Sequence, residues 1–223
     1  MVKEVQMKRL LVPVLLTLGL IGCASSPDLP AGYALDPGRP EGLAIVSLTL
    51  TGKQLNRISV FEYRLREIPP RGGMFADTRD HYDSPRQHAR SVQAVGENPP
   101  GSRSVVVKGV NSAEPLDIGD AGQAQGRLAT VRLPAGEYEL HSWRLREPTP
   151  YGEREYKPPQ EFSYRFSIKS GEMTYLGRVN LHLGERNAVR ISVEDRRQDD
   201  LALLGRKHPA LATGKITHAV GSL

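Results

Sequence analysis

The chain has 223 residues, a single cysteine and a formal charge of +5, with 25% charged and 39% hydrophobic residues. One cysteine excludes an intramolecular disulfide framework and any zinc site built from several cysteines. The aliphatic content argues against a wholly disordered chain, and the length suits one domain with an elaborate loop.

Lys8 and Arg9 precede an apolar run from Leu10 to Gly22 (LLVPVLLTLGLIG), which ends at Cys23. That run is too short to cross a ~30 Å hydrocarbon core as a helix, and it suits the hydrophobic region of a signal peptide. Leu20-Ile21-Gly22-Cys23 resembles the lipobox of bacterial lipoproteins. The resemblance implies cleavage before Cys23, thioether attachment of diacylglycerol to its sulfur, and acylation of its amine. Cys23 is therefore the expected lipid attachment site. Several acyl chains, at ~0.8 kcal/mol per buried CH₂, make a stable anchor. Ala24 at the next position implies sorting to the outer membrane, with the domain expected at its periplasmic face. Residues 1–22 carry Lys3, Lys8, Arg9 and Glu4, so removing them lowers the charge by two, to +3. So mild a charge predicts no nucleic-acid partner.

Residues 23–41 are rich in Pro, Gly, Ser and Ala and read as a flexible tether. Strand signals start at Gly42 to Leu50 (GLAIVSLTL) and continue in Asn56 to Ile68 (NRISVFEYRLREI). Residues 69–126 hold six prolines and eight glycines and read as a long insert, with one strand near Ser104 to Val110. Arg127 to Leu133, Tyr138 to Glu147, Gln160 to Ile168, Met173 to Leu183 and Asn187 to Val193 follow as strands separated by Gly-containing turns. Period-two alternation at this spacing predicts antiparallel hairpins. Gln198-Asp199-Asp200 opens a short helix that His208-Pro209 ends, and residues 210–223 read as a polar tail.

The expected fold is all-β: an antiparallel β-sandwich over residues 42–195, with a short helix and tail over 196–223. Leu133-Pro134-Ala135-Gly136-Glu137-Tyr138 and the segment Phe166 to Gly177 resemble β-sandwich modules of bacterial lipoproteins. Transthyretin-like and carboxypeptidase-regulatory-like domains are among these. The resemblance covers roughly residues 127–195 and implies an immunoglobulin/transthyretin-like sandwich, with Tyr138 pointing inward.

Two segments echo each other: Tyr63-Arg64-Leu65-Arg66-Glu67 and Trp143-Arg144-Leu145-Arg146-Glu147. Alternation puts the aromatic and leucine side chains inward and the arginines outward. On neighbouring strands, Arg64, Arg66, Arg144 and Arg146 would form a basic stripe, which Arg165 and Arg178 would extend. Such a stripe suits an anionic lipid, a glycan carboxylate or an acidic envelope protein. The competing reading is a solvated sheet face with cross-strand pairs from Glu62, Glu67, Glu139 and Glu147.

The loops supply further candidates. Tyr151 and Tyr156, with Phe75, Asp77, Arg79, His81, Tyr82, Asp83 and His88, form an aromatic and polar loop cluster if both loops leave one sheet edge. His81, Asp83 and His88 match no metal spacing, and His141 and His182 lie on different strands, so no metal is expected. No nucleophile elbow, zinc-protease helix or phosphate loop is present, and no cofactor is implied. The sequence points to a non-catalytic envelope binding or scaffolding lipoprotein. Its rivals are an accessory subunit of an export or assembly machine docking through 69–126, and a hydrolase with a loop-borne site.

Overall fold

The computed structural model describes residues 29–30, 32–68, 102–110, 116–119, 124–184, 188–212 and 214–221. The signal segment, Cys23 and residues 69–101 lie outside the described residues, and with them the histidine and aromatic candidates between Phe75 and His88.

The described strands fall into two five-stranded sheets. The first contains β1 (Glu41–Thr51), β4 (Gln125–Pro134), β8 (Met173–Leu183), β9 (Val189–Glu194) and β10 (Ile216–His218), in the order β10-β8-β1-β4 with β9 also on β8. The second contains β2 (Val60–Ile68), β3 (Arg103–Lys108), β5 (Gly136–Thr149), β6 (Gly152–Tyr156) and β7 (Tyr164–Ile168). Its order is β3-β2-β5-β6, with β7 also on β5. Both sheets repeat one device, a long strand whose outer edge is shared by two short ones. β8 gives Met173–Tyr175 to β10 and Arg178–Leu183 to β9. β5 gives Gly136–Leu140 to β7 and Leu145–Thr149 to β6.

One apolar core joins the sheets. Ala44, Val46, Leu48 and Leu50 of β1 meet Phe61, Tyr63 and Leu65 of β2, and Trp143 and Leu145 of β5. Period-two alternation delivers each set to one face. Burying each large aliphatic side chain contributes ~1.5–3 kcal/mol. Tyr138 points inward, as the turn before it implied, and its hydroxyl donates to the Pro134 carbonyl at 3.0 Å.

The antiparallel expectation holds for most pairs but not for all. β8 runs parallel to β1, and β10 runs parallel to β8. A parallel pair needs a long crossover, and the chain between β1 and β8 supplies one by building the second sheet. The pairing of β1 with β8 slips by one residue between Ile45 and Ser47. Gly177 lies in the slip at a φ of 90°, a left-handed conformation that favours glycine.

Three further expectations need correction. The tail is not loose throughout, because Ile216–His218 adds a strand to β8. The segment before β1 is not a free tether over its whole length, because Leu29, Tyr33 and Leu35 pack on the outer face of the first sheet. Residues 152–156 are strand, not loop. Their alternating Glu and Arg residues carry no apolar face, so hydrophobic periodicity gave no signal there.

The helix α1 (Arg197–Lys207) caps that same outer face. Its Leu204, with Leu211 beyond it, meets Leu43, Ile45, Leu128, Met173 and Tyr175 in a second apolar cluster. β1 is thus buried on both faces along most of its length.

Candidate functional site

The register of β2 with β5 sets Tyr63 opposite Trp143 and Glu62 opposite Arg144. The two arginine pairs therefore do lie on neighbouring strands, with their apolar partners inward. Each arginine meets a carboxylate. Glu62 Oε1 lies 2.9 Å from Arg144 Nη2 and 3.5 Å from Arg64 Nη2. Arg66 Nε donates to Glu139 at 2.7 Å, and Arg146 Nε donates to Glu155 at 3.0 Å. Arg64, Glu62 and Glu139 are buried. The stripe is a ladder of ion pairs rather than a free basic surface. Arg178 does not extend it, because it lies on the first sheet against Asp200.

The ladder favours the ionised form of Glu139. Burial pushes the Glu139 carboxyl up, but hydrogen bonds from Ser163 and Arg66 and the charges of Arg66 and Arg165 outweigh it, so the group sits below the usual carboxylate range. His141, where β5 slips register against β2, is shifted down as well, which for an imidazole favours the neutral form. Burial and the charge of Arg66 lower its pKa against the opposing pull of Glu161. His182 sits on the other sheet, so the two histidines do not meet. Among the described residues no cluster of His, Cys, Asp and Glu could hold a metal ion.

The two tyrosines lie at opposite ends of β6. Tyr151 is fully exposed at the β5–β6 turn. Tyr156 is buried about 16 Å of strand away. Its hydroxyl donates to Glu147 at 2.8 Å and accepts from Lys53 at 2.8 Å. Lys53 also pairs with Glu147 and sits 4.7 Å from the Tyr156 ring centre. The two rings do not converge on one loop site.

Tyr156 instead walls a groove of about 660 Å³. Trp143 forms its floor, Pro158, Pro159 and Phe162 of the β6–β7 connection form one side, and Val189 and Ile191 of β9 form the other. The Trp143 side chain is 1% exposed, and its indole Nε1 has no hydrogen-bond partner among the described residues. The groove lies where an edge of one sheet faces an edge of the other. Each of β6 and β9 is paired on one side only among the described residues. Sequence reading missed this site because its walls come from three separated segments. The signal available was the chain's single tryptophan in an otherwise aliphatic core position.

A smaller polar cleft of about 340 Å³ opens on the outer face of the first sheet. There Thr49 donates to Asn180 at 3.0 Å, and Asn180 donates to Thr51 at 3.2 Å. Arg178 Nη2 donates to Asp200 at 2.5 Å. Its side chains largely satisfy one another.

Fold and site define an all-β chain of two mainly antiparallel sheets, with an aromatic groove open between two sheet edges. No known protein family matches the chain, and no curated protein matches it. Among solved structures it is similar to a leucine-rich repeat protein from Bacteroides thetaiotaomicron, at 12% identity and a TM-score of 0.35. That match takes in 66% of this chain and 14% of the other, so the chain spans a small part of its neighbour's length. A likeness this distant carries no argument about function. Among the described residues no helix is long and apolar enough to cross a membrane.

Proposed function

We propose that the chain is an envelope lipoprotein, held at the outer membrane through lipid on Cys23, whose folded part binds a partner without catalysing a reaction. Its fold is read as a β-sandwich of the immunoglobulin/transthyretin-like type, a rigid frame that offers its edges and loops for recognition. The anchor rests on the lipobox at Leu20 to Cys23.

One observation carries the binding role: the groove floored by Trp143 and flanked by Tyr156, Phe162 and two prolines. Its volume falls in the ~300–1,000 Å³ range of ligand sites. Aromatic side chains that combine an apolar body with a polar atom dominate binding energetics.

The test has two arms. Radioactive palmitate should label the chain and fail to label Cys23→Ala; label retained in the variant overturns the anchor. A photo-reactive residue placed at exposed Lys157 should give a discrete adduct in intact envelopes, and Val189→Asp in the groove wall should abolish it. Absence of any adduct, or an adduct indifferent to Val189→Asp, overturns the groove as the binding site.

A further inference from the structure

We infer that the groove takes an extended, acidic strand of a partner protein, which pairs with the edge of β9 that no described strand occupies and lays its apolar side chains over Trp143. The inference rests on the binding role proposed above and names its ligand class. Two independent features converge on it.

The first is the unpaired edge. β9 bonds to β8 through Val189–Glu194, and no other described strand lies against its second side. An open edge presents a row of amide and carbonyl groups that another strand can satisfy. β9 alternates so that Val189 and Ile191 face the groove, and Val189 is 38% exposed. A strand added beside β9 would alternate in step and drop every second side chain onto Trp143 and Phe162.

The second is charge. Arg154 and Lys157 line the groove, and both are exposed. Lys157 makes no ion pair among the described residues. Glu155, the acidic residue at the rim, is engaged by Arg146 at 3.0 Å. The rim is therefore net positive where the occupant would lie, which favours an acidic segment and disfavours a basic one.

The test uses the full chain in detergent with three ten-residue probes. One alternates Val and Glu, one alternates Val and Lys, and the third is the Val/Glu peptide with alternate backbone nitrogens methylated. The single tryptophan makes its emission a direct readout of the groove. The Val/Glu peptide should shift that emission saturably and slow hydrogen exchange of the Val189–Glu194 amides. The methylated and Val/Lys peptides should bind at least about tenfold more weakly. The Arg154→Glu, Lys157→Glu double variant should weaken the Val/Glu peptide by roughly tenfold. Equal binding of the methylated peptide, or an emission shift without β9 protection, overturns strand pairing and leaves the groove reading standing. No response to the Val/Glu peptide overturns the inference, while the envelope cross-linking judges the groove separately. A chain that sediments as a dimer with its β9 amides already protected also overturns it, because a second copy then fills the edge.

Discussion

The Tyr175 hydroxyl donates to Asp200 Oδ2 at 2.8 Å, joining the start of β8 to the first turn of α1. Arg178 takes the other oxygen of the same carboxylate, and Asp200 has no exposure to solvent. Asp200 is therefore the bolt that fixes the helix to the sheet, not merely an acidic residue favouring a helix N-terminus. Removing one member of a buried pair leaves the other charge without a partner, which costs ~3–5 kcal/mol. Asp200→Ala should destabilise the fold by that order. Tyr175→Phe should cost less, about 1–2 kcal/mol, since Arg178 still holds the acid. Urea unfolding monitored through Trp143 measures both. Equal losses from the two variants would contradict the division of roles.

Trp143 offers a second expectation. Its ring is buried in the core, while its N–H bonds to nothing among the described residues. Trp143→Phe should therefore cost little, under about 1.5 kcal/mol, because it removes volume without breaking a hydrogen bond. Trp143→Ala should cost ~3–5 kcal/mol through cavity formation. Thermal unfolding by circular dichroism reads the two variants; a Phe variant as unstable as the Ala variant would reveal a hydrogen bond to the indole.

The legible part of the molecule was its alternation. Strands such as Met173–Leu183, and the inward set Tyr164, Phe166 and Ile168, follow directly from period two. The Leu-Pro-Ala-Gly turn before Tyr138 was legible for the same local reason. Pairing was not. Whether β8 lies parallel or antiparallel to β1 depends on the path of the whole intervening chain, which periodicity does not record. The arginine echo was visible, but its neutralisation was only half visible. Glu62 and Glu139 are the expected cross-strand partners, whereas Glu155 and Glu161 reach the arginines from β6 and the β6–β7 connection. Asp200 was legible as a helix-start acid, but its pairing was not, because its partners Tyr175 and Arg178 sit more than twenty residues away. The groove was illegible, since no single segment of it resembles a site.

Lys53, Glu147 and Tyr156 set a pH expectation at both ends of the scale. The hydrogen bond from Lys53 comes first in holding Glu147 below the usual carboxylate pKa, opposed by burial and helped by Tyr156. Burial pulls Lys53 down, but its bonds to Glu147 and Tyr156 carry its pKa above the ordinary value. A depressed carboxylate stabilises the fold above its unfolded pKa of ~4.3 and loses that contribution as pH falls through the lower folded value. A raised lysine stabilises below its unfolded pKa of ~10.4 and loses that contribution as pH rises through the higher folded value. Glu147→Gln should flatten both limbs of the stability profile, measured as the urea midpoint at pH 3–5 and again at pH 10–12. A variant with the parent's slope in both windows would show that the trio contributes nothing to stability.

Two glycines should respond to alanine in opposite directions. Gly177 occupies the register slip of β8 at a φ of 90°, and a Cβ there would stand 2.9 Å from the Glu194 carbonyl oxygen. Gly177→Ala combines left-handed strain with a backbone clash against β9, so it should destabilise by about 2 kcal/mol or more. It should also loosen β9, visible as faster hydrogen exchange over Val189–Glu194. Gly205 lies inside α1, where an added Cβ meets only Ala212 Cβ at an ordinary 3.9 Å. Gly205→Ala should stabilise the chain by up to ~1 kcal/mol, because alanine loses less backbone entropy in a helix. Thermal melts of the two variants side by side decide the matter. A stabilising Gly177→Ala would mean that β8 passes β1 without the slip, and would remove the physical reason for glycine at that position.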